Sequence, residues 1–222
     1  MLKEFIITED GSQTIYLPEM DEHYHSVHGA IQESVHIYIE QGLLRTSKNE
    51  ISILEIGFGT GLNAYLTHCY ALDRKISVNY YCLEKYPLSE AEYLQLNYPN
   101  TVFPEFSLVF EQMHRAEWGI NHEISPTFRL KKVKADLLSY QFDPEPQFDL
   151  VYYDAFSPGK QPEMWTEEVL QKVAATVNFG GILVTYCAKG TVRRAFSATG
   201  FQMERIPGPI GKKEILRGKK TF

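Results

Sequence analysis

The chain has 222 residues, of which 44% are hydrophobic and 23% charged, a composition typical of a globular protein. A chain of this length buries enough surface to fold without disulfides or a structural metal. Its three cysteines, Cys69, Cys82 and Cys187, lie far apart in no C-x-x-C pair, which argues against a disulfide framework and a zinc ribbon. The polar N-terminus and the lack of a long apolar run predict neither a signal peptide nor a membrane span. We therefore expect a cytoplasmic protein.

The charge is distributed unevenly along the chain. Residues 189–222 carry nine basic and two acidic side chains, whereas the first 188 residues carry 13 basic and 26 acidic ones. A basic C-terminal segment on an acidic body is typical either of a polyanion contact or of a solubilising end. Charge alone leaves both interpretations open.

The apolar pattern predicts a short hairpin over residues 5–17 that turns at Asp10-Gly11, and a helix over residues 26–42 that Gly42 ends. Residues 98–127 read as irregular and aromatic, with a short helix at about residues 108–118. The expected strands cover residues 51–57, 77–84, 128–136, 148–156 and 181–188, followed by a closing antiparallel pair that begins at residue 201. The expected helices between them cover residues 62–72, 88–96, 163–177 and 192–198.

Strands that alternate with helices predict an α/β fold with a mostly parallel, seven-stranded sheet, a C-terminal antiparallel strand and helices on both faces. We expect one domain over residues 1–222. Within it, residues 1–48 form a hairpin and helix that cover a pocket, and residues 49–222 form the core, with an insertion at about residues 98–127. Ligands bind such sheets beyond the carboxyl ends of the strands, so the candidate functional residues should cluster there.

The first long strand ends in the sequence E-I-G-F-G-T-G, residues 55–61. Glycines at alternate positions let the backbone turn tightly and approach a ligand. The third glycine of the strict dinucleotide fingerprint is missing. An acidic residue two positions before G-x-G-x-G is instead typical of Rossmann-like class I S-adenosylmethionine-dependent methyltransferases. The cofactor loop that we predict on this basis consists of Glu55, Gly57, Phe58, Gly59, Gly61 and Asn63.

Three more acidic residues end predicted strands. Glu84 follows the second strand, where a carboxylate can accept hydrogen bonds from ribose hydroxyls. Asp136 follows the third strand and is placed to reach an adenine amino group. Asp154 follows a strongly apolar strand, where a carboxylate is costly unless it is paired or functional. In a methyltransferase this last position faces the sulfonium, and an acid there favours an acceptor such as an amine.

Histidines and aromatic residues offer weaker signals. His23, His25, His28 and His36 include a His-x-His pair, but no carboxylate or cysteine completes a ligand set, so we predict no metal site. Phe58, Phe156 and Trp165 are expected in loops beside the pocket, where their rings could stack on a flat base.

Three motifs together resemble the MnmC-type tRNA methyltransferase domain: EIGFGTGLN at residues 55–63, DAFSPGKQPEMW at residues 154–165, and the tail from Lys189. The resemblance runs from about residue 24 to residue 217, and the second motif is more specific than the glycine loop. It implies methylation of the amine of 5-aminomethyl-(2-thio)uridine at the tRNA wobble position, with S-adenosylmethionine as cofactor. It also implies the anticodon loop of tRNA as partner and a stand-alone form with no fused flavin oxidase.

The same resemblance implies roles for individual residues. Asp154 would lie beside the aminomethyl group as the catalytic residue, although whether it also takes the proton stays open. The matched cofactor residues are those of the glycine loop together with Glu84 and Asp136. The residues expected to contact the substrate are Tyr24, Phe156, Lys160, Trp165, Arg193, Arg194, Lys212 and Lys213.

Other functions remain compatible with these motifs. A class I methyltransferase or aminopropyltransferase could act on a small amine, although the basic tail would then be superfluous. A non-catalytic S-adenosylmethionine-binding protein would have no physical need for the costly Asp154. A nicotinamide oxidoreductase is disfavoured by the glycine spacing.

Overall fold

The computed structural model describes residues 2–143 and 147–221. Near the N-terminus, three short strands form an antiparallel sheet: β1 (Glu4–Ile7), β2 (Gln13–Leu17) and β3 (Glu22–His23). In the part of the chain that the structure describes, eight further strands form the central sheet: β4 (Glu50–Ile56), β5 (Ser77–Glu84), β6 (Asn121–Ser125), β7 (Phe128–Lys134), β8 (Phe148–Tyr153), β9 (Val177–Thr185), β10 (Phe201–Pro207) and β11 (Glu214–Lys220). The hairpin predicted over residues 5–17 is confirmed, with the register Glu4↔Tyr16.

The central sheet has the strand order β10-β11-β9-β8-β4-β5-β7-β6. The five strands from β9 to β7 run parallel, and β11 lies antiparallel between β9 and β10. This arrangement confirms the predicted Rossmann-like fold. The sheet has eight strands instead of seven because β6, in the region expected to be irregular, pairs antiparallel with β7.

Within the described residues, seven α-helices accompany the strands: α1 (Ala30–Ser34), α2 (Leu62–Arg74), α3 (Glu90–Tyr93), α4 (Tyr98–Thr101), α5 (Ser107–Arg115), α6 (Glu167–Ala174) and α7 (Gly190–Ala198). A wider helical turn, Val35–Glu40, continues α1, and single 3-10 turns cover Leu43–Arg45, Pro104–Phe106 and Pro162–Trp165. None of the helices that the structure describes is both long and apolar enough to cross a membrane.

Several helix boundaries differ from the prediction. The helix expected over residues 26–42 begins only at residue 30, because Gly29 has a φ of +145° that no helix accommodates. The helix expected over residues 88–96 shrinks to α3, which a capping box between Ser89 and Glu92 begins. Strand β9 starts four residues earlier than predicted, because Gly180 and Gly181 interrupt its apolar pattern.

The sheet separates two apolar cores, and strand residues alternate between them as the period of two requires. In β8, Leu150 and Tyr152 face the core under α2 and α5, whereas Val151 and Tyr153 face the core under α6 and α7. Helices therefore cover both faces, as predicted. The functional surface is left at the carboxyl edge of the sheet.

A lysine lies inside the first of these cores. Lys132 of β7 is only 1% exposed, and its Nζ donates a hydrogen bond of 2.6 Å to the backbone oxygen of His114. The ammonium also lies 4.5 Å from the ring centre of Trp118. Burial lowers the pKa of Lys132 to about 8, because the charged form is poorly solvated there.

This pKa predicts a pH-dependent stability. Between pH 8 and 10.5 the unfolded chain binds a proton at Lys132 that the folded chain lacks, so the contribution of Lys132 to the free energy of unfolding should rise with pH by up to about 3 kcal/mol. The thiols of Cys69 and Cys82, whose pKa values are raised by burial, act in the opposite direction above pH 9, so the rise is read as the difference between wild type and variant. Denaturant unfolding of Lys132→Met should lack this rise. Lys131→Met, a change to the neighbouring lysine, should retain it. Equal slopes in all three proteins would contradict the assignment.

Candidate functional site

A cavity of about 1090 Å³ opens at the carboxyl ends of β4, β5, β7 and β8. This is the edge where open α/β sheets bind ligands. Its walls come from the turn after β4, the ends of the neighbouring strands, the N-terminal segment around residues 19–27, and the turn between β10 and β11. The predicted site residues that line it are Tyr24, Gly57, Phe58, Gly59, Asn63, Glu84, Asp136, Asp154, Phe156 and Lys212.

The turn after β4 can be formed only by glycines. Gly57, Gly59 and Gly61 have φ values of +91°, +51° and +74°, which L side chains rarely adopt. A Cβ at Gly57 would lie 2.8 Å from the backbone oxygen of Asp154, and one at Gly59 would lie 3.2 Å from the ring of Tyr24. The loop thus offers a backbone-lined cradle against which a ligand can pack closely.

Two carboxylates lie along one wall of the cavity. Glu84 accepts hydrogen bonds from the backbone N–H groups of Gly59 (2.9 Å) and Tyr86 (2.7 Å), which fix its orientation. Asp136 pairs with Lys85 at 2.8 Å, and this contact lowers the pKa of Asp136. Each carboxylate has further lone pairs with which to accept ligand hydroxyl or amino groups.

Asp154 lies at the deep end of the cavity, directly after β8. Its Oδ2 accepts a hydrogen bond of 2.9 Å from Asn63 Nδ2. Burial raises the pKa of Asp154 to about 7, and the nearby Glu33 adds to that rise, while Tyr38, Asn63 and Lys212 oppose it. The carboxyl group is therefore poised to exchange a proton near neutral pH.

Glu55 was predicted in the cofactor loop, but it does not line the cavity. It is fully buried on the α2 face of β4, and within residues 2–143 and 147–221 neither of its oxygens has a hydrogen-bond partner. Burial raises its pKa well above the usual range, and the nearby Asp154 contributes to this rise. Glu55 thus lies beneath the loop, because strand alternation turns its side chain inward, and burial there favours its protonated form.

The aromatic residues divide between the cavity and the core. Tyr24 and Phe156 line the cavity and meet edge to face with ring centres 5.2 Å apart. Phe58 lines it too, with its ring packed against His114 and Trp118.

Trp165 was expected beside the pocket, but it lies in the core under α6. It is 7% exposed, packs on Tyr153 and Tyr186, and donates its indole N–H to the backbone oxygen of Phe156 at 2.8 Å. The prediction of a stacking surface at Trp165 is therefore wrong, because the ring supports the Asp154–Trp165 loop from below.

Most of the predicted basic contacts lie outside the cavity. Lys160 is exposed, 3.5 Å from Asp21, and Lys213 is exposed on the turn after β10. Arg193 and Arg194 belong to the first turns of α7, which starts close to the carboxyl end of β9. Only Lys212 enters the cavity wall, so the remaining charges are available to a larger partner around the cavity.

Two histidines that no sequence pattern indicated hold the glycine loop from both sides. His25 Nε2 lies 2.7 Å from Thr60 Oγ1, and His114 Nε2 lies 3.0 Å from the backbone oxygen of Thr60. Burial lowers the pKa of His25 to about 4 and that of His114 to about 3, so both rings are neutral at pH 7. Residues 98–127, which matched no motif, therefore support the loop through α5.

Tyr38 and Tyr186 were also missed, although both lie close enough to Asp154 to interact with it. Contacts between residues this far apart along the chain leave no local pattern to detect. No group of three or more potential metal ligands occurs in the part of the chain that the structure describes.

The site combines a parallel sheet with a glycine turn after β4 and acidic residues at the following strand ends. This combination is typical of sites that bind a cofactor with a nucleoside part. A family model for S-adenosyl-L-methionine-dependent methyltransferases matches residues 103–221, and the chain belongs to this family. The match includes Asp136, Asp154 and the C-terminal strands. S-adenosylmethionine is therefore its cofactor.

Two bacterial proteins are similar to this chain in sequence. The bifunctional protein MnmC of tRNA 5-methylaminomethyl-2-thiouridine biosynthesis from Leptospira borgpetersenii is 32% identical over 218 residues, which cover 90% of this chain and 32% of that protein. The MnmC protein of Pseudomonas syringae pv. syringae is 32% identical over 211 residues, or 88% of this chain and 31% of the relative. The chain thus spans about a third of the length of these relatives.

Two solved structures are similar as well. The crystal structure of MNMC2 from Aquifex aeolicus superimposes with a TM-score of 0.79 at 27% identity, covering 98% of this chain and 69% of that one. Spermidine synthase from Thermotoga maritima has a TM-score of 0.55 at 14% identity, covering 99% and 72% of the two chains. The second likeness shows the fold alone.

The tight packing around Gly57 predicts that a single added methyl group at this position weakens cofactor binding. Gly57→Ala should weaken S-adenosylmethionine binding by at least about tenfold in calorimetry, because its Cβ would collide with the Asp154 backbone. Gly119→Ala is the matched control, since Gly119 has a similar φ of +87° but no atom within 4 Å of the added Cβ. Equal losses of affinity in both variants would attribute the effect to backbone strain alone.

Proposed function

We propose that the chain transfers a methyl group from S-adenosylmethionine to the amine of 5-aminomethyl-(2-thio)uridine at the tRNA wobble position, which gives 5-methylaminomethyl-(2-thio)uridine. The observation that carries the proposal is Asp154, a half-buried carboxyl group at the deep end of the cavity with a pKa of about 7. The similar bacterial proteins are named for tRNA 5-methylaminomethyl-2-thiouridine biosynthesis, which supports the choice of substrate.

The residues of the cavity fit the cofactor. The glycine cradle leaves room for a ligand only because no Cβ fills it, and Asn63 Oδ1 is buried without a partner in the described chain. Glu84 would hold the ribose hydroxyls, and Asp136 would accept from the adenine amino group. Bound S-adenosylmethionine supplies an electrophilic methyl group on a positively charged sulfur. Glu55 would act from below by supporting the loop.

For the transfer to occur, the amine of the substrate must lose a proton so that its nitrogen has a free lone pair. An alkylamine with a pKa near 10, like that of lysine, costs about 4 kcal/mol to deprotonate at pH 7. Asp154 would hold the ammonium by charge and accept its proton, since it lines the cavity and burial raises its pKa to about 7. Tyr24 and Phe156 would hold the uracil ring, so positioning supplies much of the acceleration.

The basic groups around the cavity suit an RNA substrate. A wobble base lies in a single-stranded loop, so turning it into a cavity costs less than flipping it from a duplex. Lys160, Arg193, Arg194 and Lys213 would contact phosphates of the anticodon arm. A tRNA substrate would also place the enzyme in the cytoplasm.

The central test is nucleoside mass spectrometry of aminomethyl-uridine tRNA incubated with the protein and S-adenosylmethionine. We expect a gain of one methyl group, with a rate that rises as the pH increases through about 7, because Asp154 must be ionised. Asp154→Asn should lower the rate by about 100-fold or more while cofactor binding is retained.

If no nucleoside gains a methyl group although the cofactor binds, the tRNA substrate is refuted. Methylation of a small polyamine under the same conditions would then identify the acceptor as a metabolite. An unchanged rate in Asp154→Asn would remove this residue from the reaction.

Arg193 and Arg194 test the RNA surface. Replacing both by glutamine should raise the KM for tRNA by about tenfold and flatten its dependence on salt, because fewer phosphates are neutralised. Arg74→Gln is the matched control, since Arg74 is exposed at the far end of α2, on the opposite edge of the sheet. A fall in S-adenosylmethionine affinity, with tRNA kinetics unchanged, would show that the arginines were misassigned.

A further inference from the structure

The acceptor end of the cavity contains an ion pair that the proposed reaction has not yet used. Lys212 Nζ lies 3.4 Å from Glu33 Oε1, and the other carboxylate oxygen of Glu33 accepts a hydrogen bond of 2.7 Å from the backbone N–H of Ser26. Lys212 also lies 4.9 Å from the ring centre of Tyr186. Both charged side chains line the same cavity as Asp154.

The turn that carries Lys212 is held in place by tight contacts. Residues 208–213 close by hydrogen bonds from Gly208 N to Lys213 O (3.1 Å) and from Lys212 N to Pro209 O (2.9 Å). Gly211 packs on His28, where a Cβ would lie 2.1 Å from the ring. The ammonium is therefore built into the cavity wall and is not a freely moving surface charge.

The titratable groups around Asp154 come from several elements. Glu55 lies below it on β4, Glu33 on α1, Tyr38 on the wide helical turn and Tyr186 after β9, while Lys212 approaches from the last hairpin. Lys212 is the one cation among these groups in the described structure. Without it, Glu33 and Asp154 would together hold an incoming ammonium too firmly in its protonated, unreactive form.

Resting on the proposed function, we propose that Lys212 is a positioning residue that offsets the charge of Glu33, so that the bound amine can release its proton to Asp154. In this step an N–H bond of the ammonium breaks and an O–H bond forms on the Asp154 carboxylate. The electron pair of the broken bond stays on nitrogen as the lone pair that attacks the methyl group. Lys212 itself exchanges no proton.

The test compares two variants that should shift the pH profile in opposite directions. Removing a positive charge in Lys212→Met raises the proton affinity of both Asp154 and the amine. The rising limb, which is the pH range over which the single-turnover rate increases with pH, should therefore shift to higher pH by about one unit. Removing a negative charge in Glu33→Gln should move the limb down by a similar amount. The double variant should return close to the wild-type profile.

Two controls separate this role from others. Lys213→Met removes the neighbouring exposed lysine, so it should raise the KM for tRNA without moving the limb. Carbon-13 NMR titration of the Asp154 carboxyl in cofactor-free protein, assigned with Asp154→Asn, should show the same opposite shifts without any turnover.

The inference would be overturned if the wild type methylates the tRNA but the rising limb stays in place, or shifts in the same direction, in both variants. The proposed function would remain in that case. A wild type that methylates no aminomethyl-uridine tRNA at any pH would instead overturn the proposed function and, with it, the role of Lys212 toward the amine. The NMR titration then shows whether the charge coupling itself exists.

Discussion

The close approach of two strand ends determines the geometry of the whole site. The backbone N–H of Asp154 donates to the oxygen of Ile56 at 3.0 Å, and Gly57 turns so tightly there that no side chain fits between it and Asp154. The glycine loop and Asp154 are therefore parts of one rigid corner. Because reacting groups must align within a fraction of an ångström, such a corner supplies positioning without relying on mobile loops.

The three carboxyl groups around this corner differ in their burial and in their partners. Glu55 is sealed under the loop, and burial raises its pKa well above the usual range, which favours its protonated form. Asp154 is partly solvated and titrates near pH 7, while Glu33 is balanced by Lys212. Similar side chains thus differ in proton affinity and in partners because their solvation and neighbours differ.

The sequence predicted the parts of this arrangement that depend on local patterns. Apolar runs located every parallel strand of the central sheet, and the glycine spacing together with the acids at strand ends located Glu84, Asp136 and Asp154 on the cavity wall. Trp165 was misjudged, because a loop motif does not reveal whether a ring points outward or into the core.

Pairings across the chain escaped prediction for a related reason. Glu33 and Lys212 meet only because the N-terminal segment and the last hairpin converge over the same edge, and Thr60 joins histidines from two distant segments. Strand β6 was hidden because its polar residues lie on an exposed sheet edge, where the pattern of burial is weak.

The position of β11 has a consequence for how the chain folds. This strand follows β10 in sequence but lies between β9 and β10 in the sheet, pairing Leu216 with Thr185 on one side and with Arg205 on the other. During synthesis on the ribosome, a chain that has emerged only as far as β10 leaves the hydrogen-bonding edge of β9 open. The same late strand anchors the turn with Lys212, so this lysine joins the cavity wall only when the sheet closes.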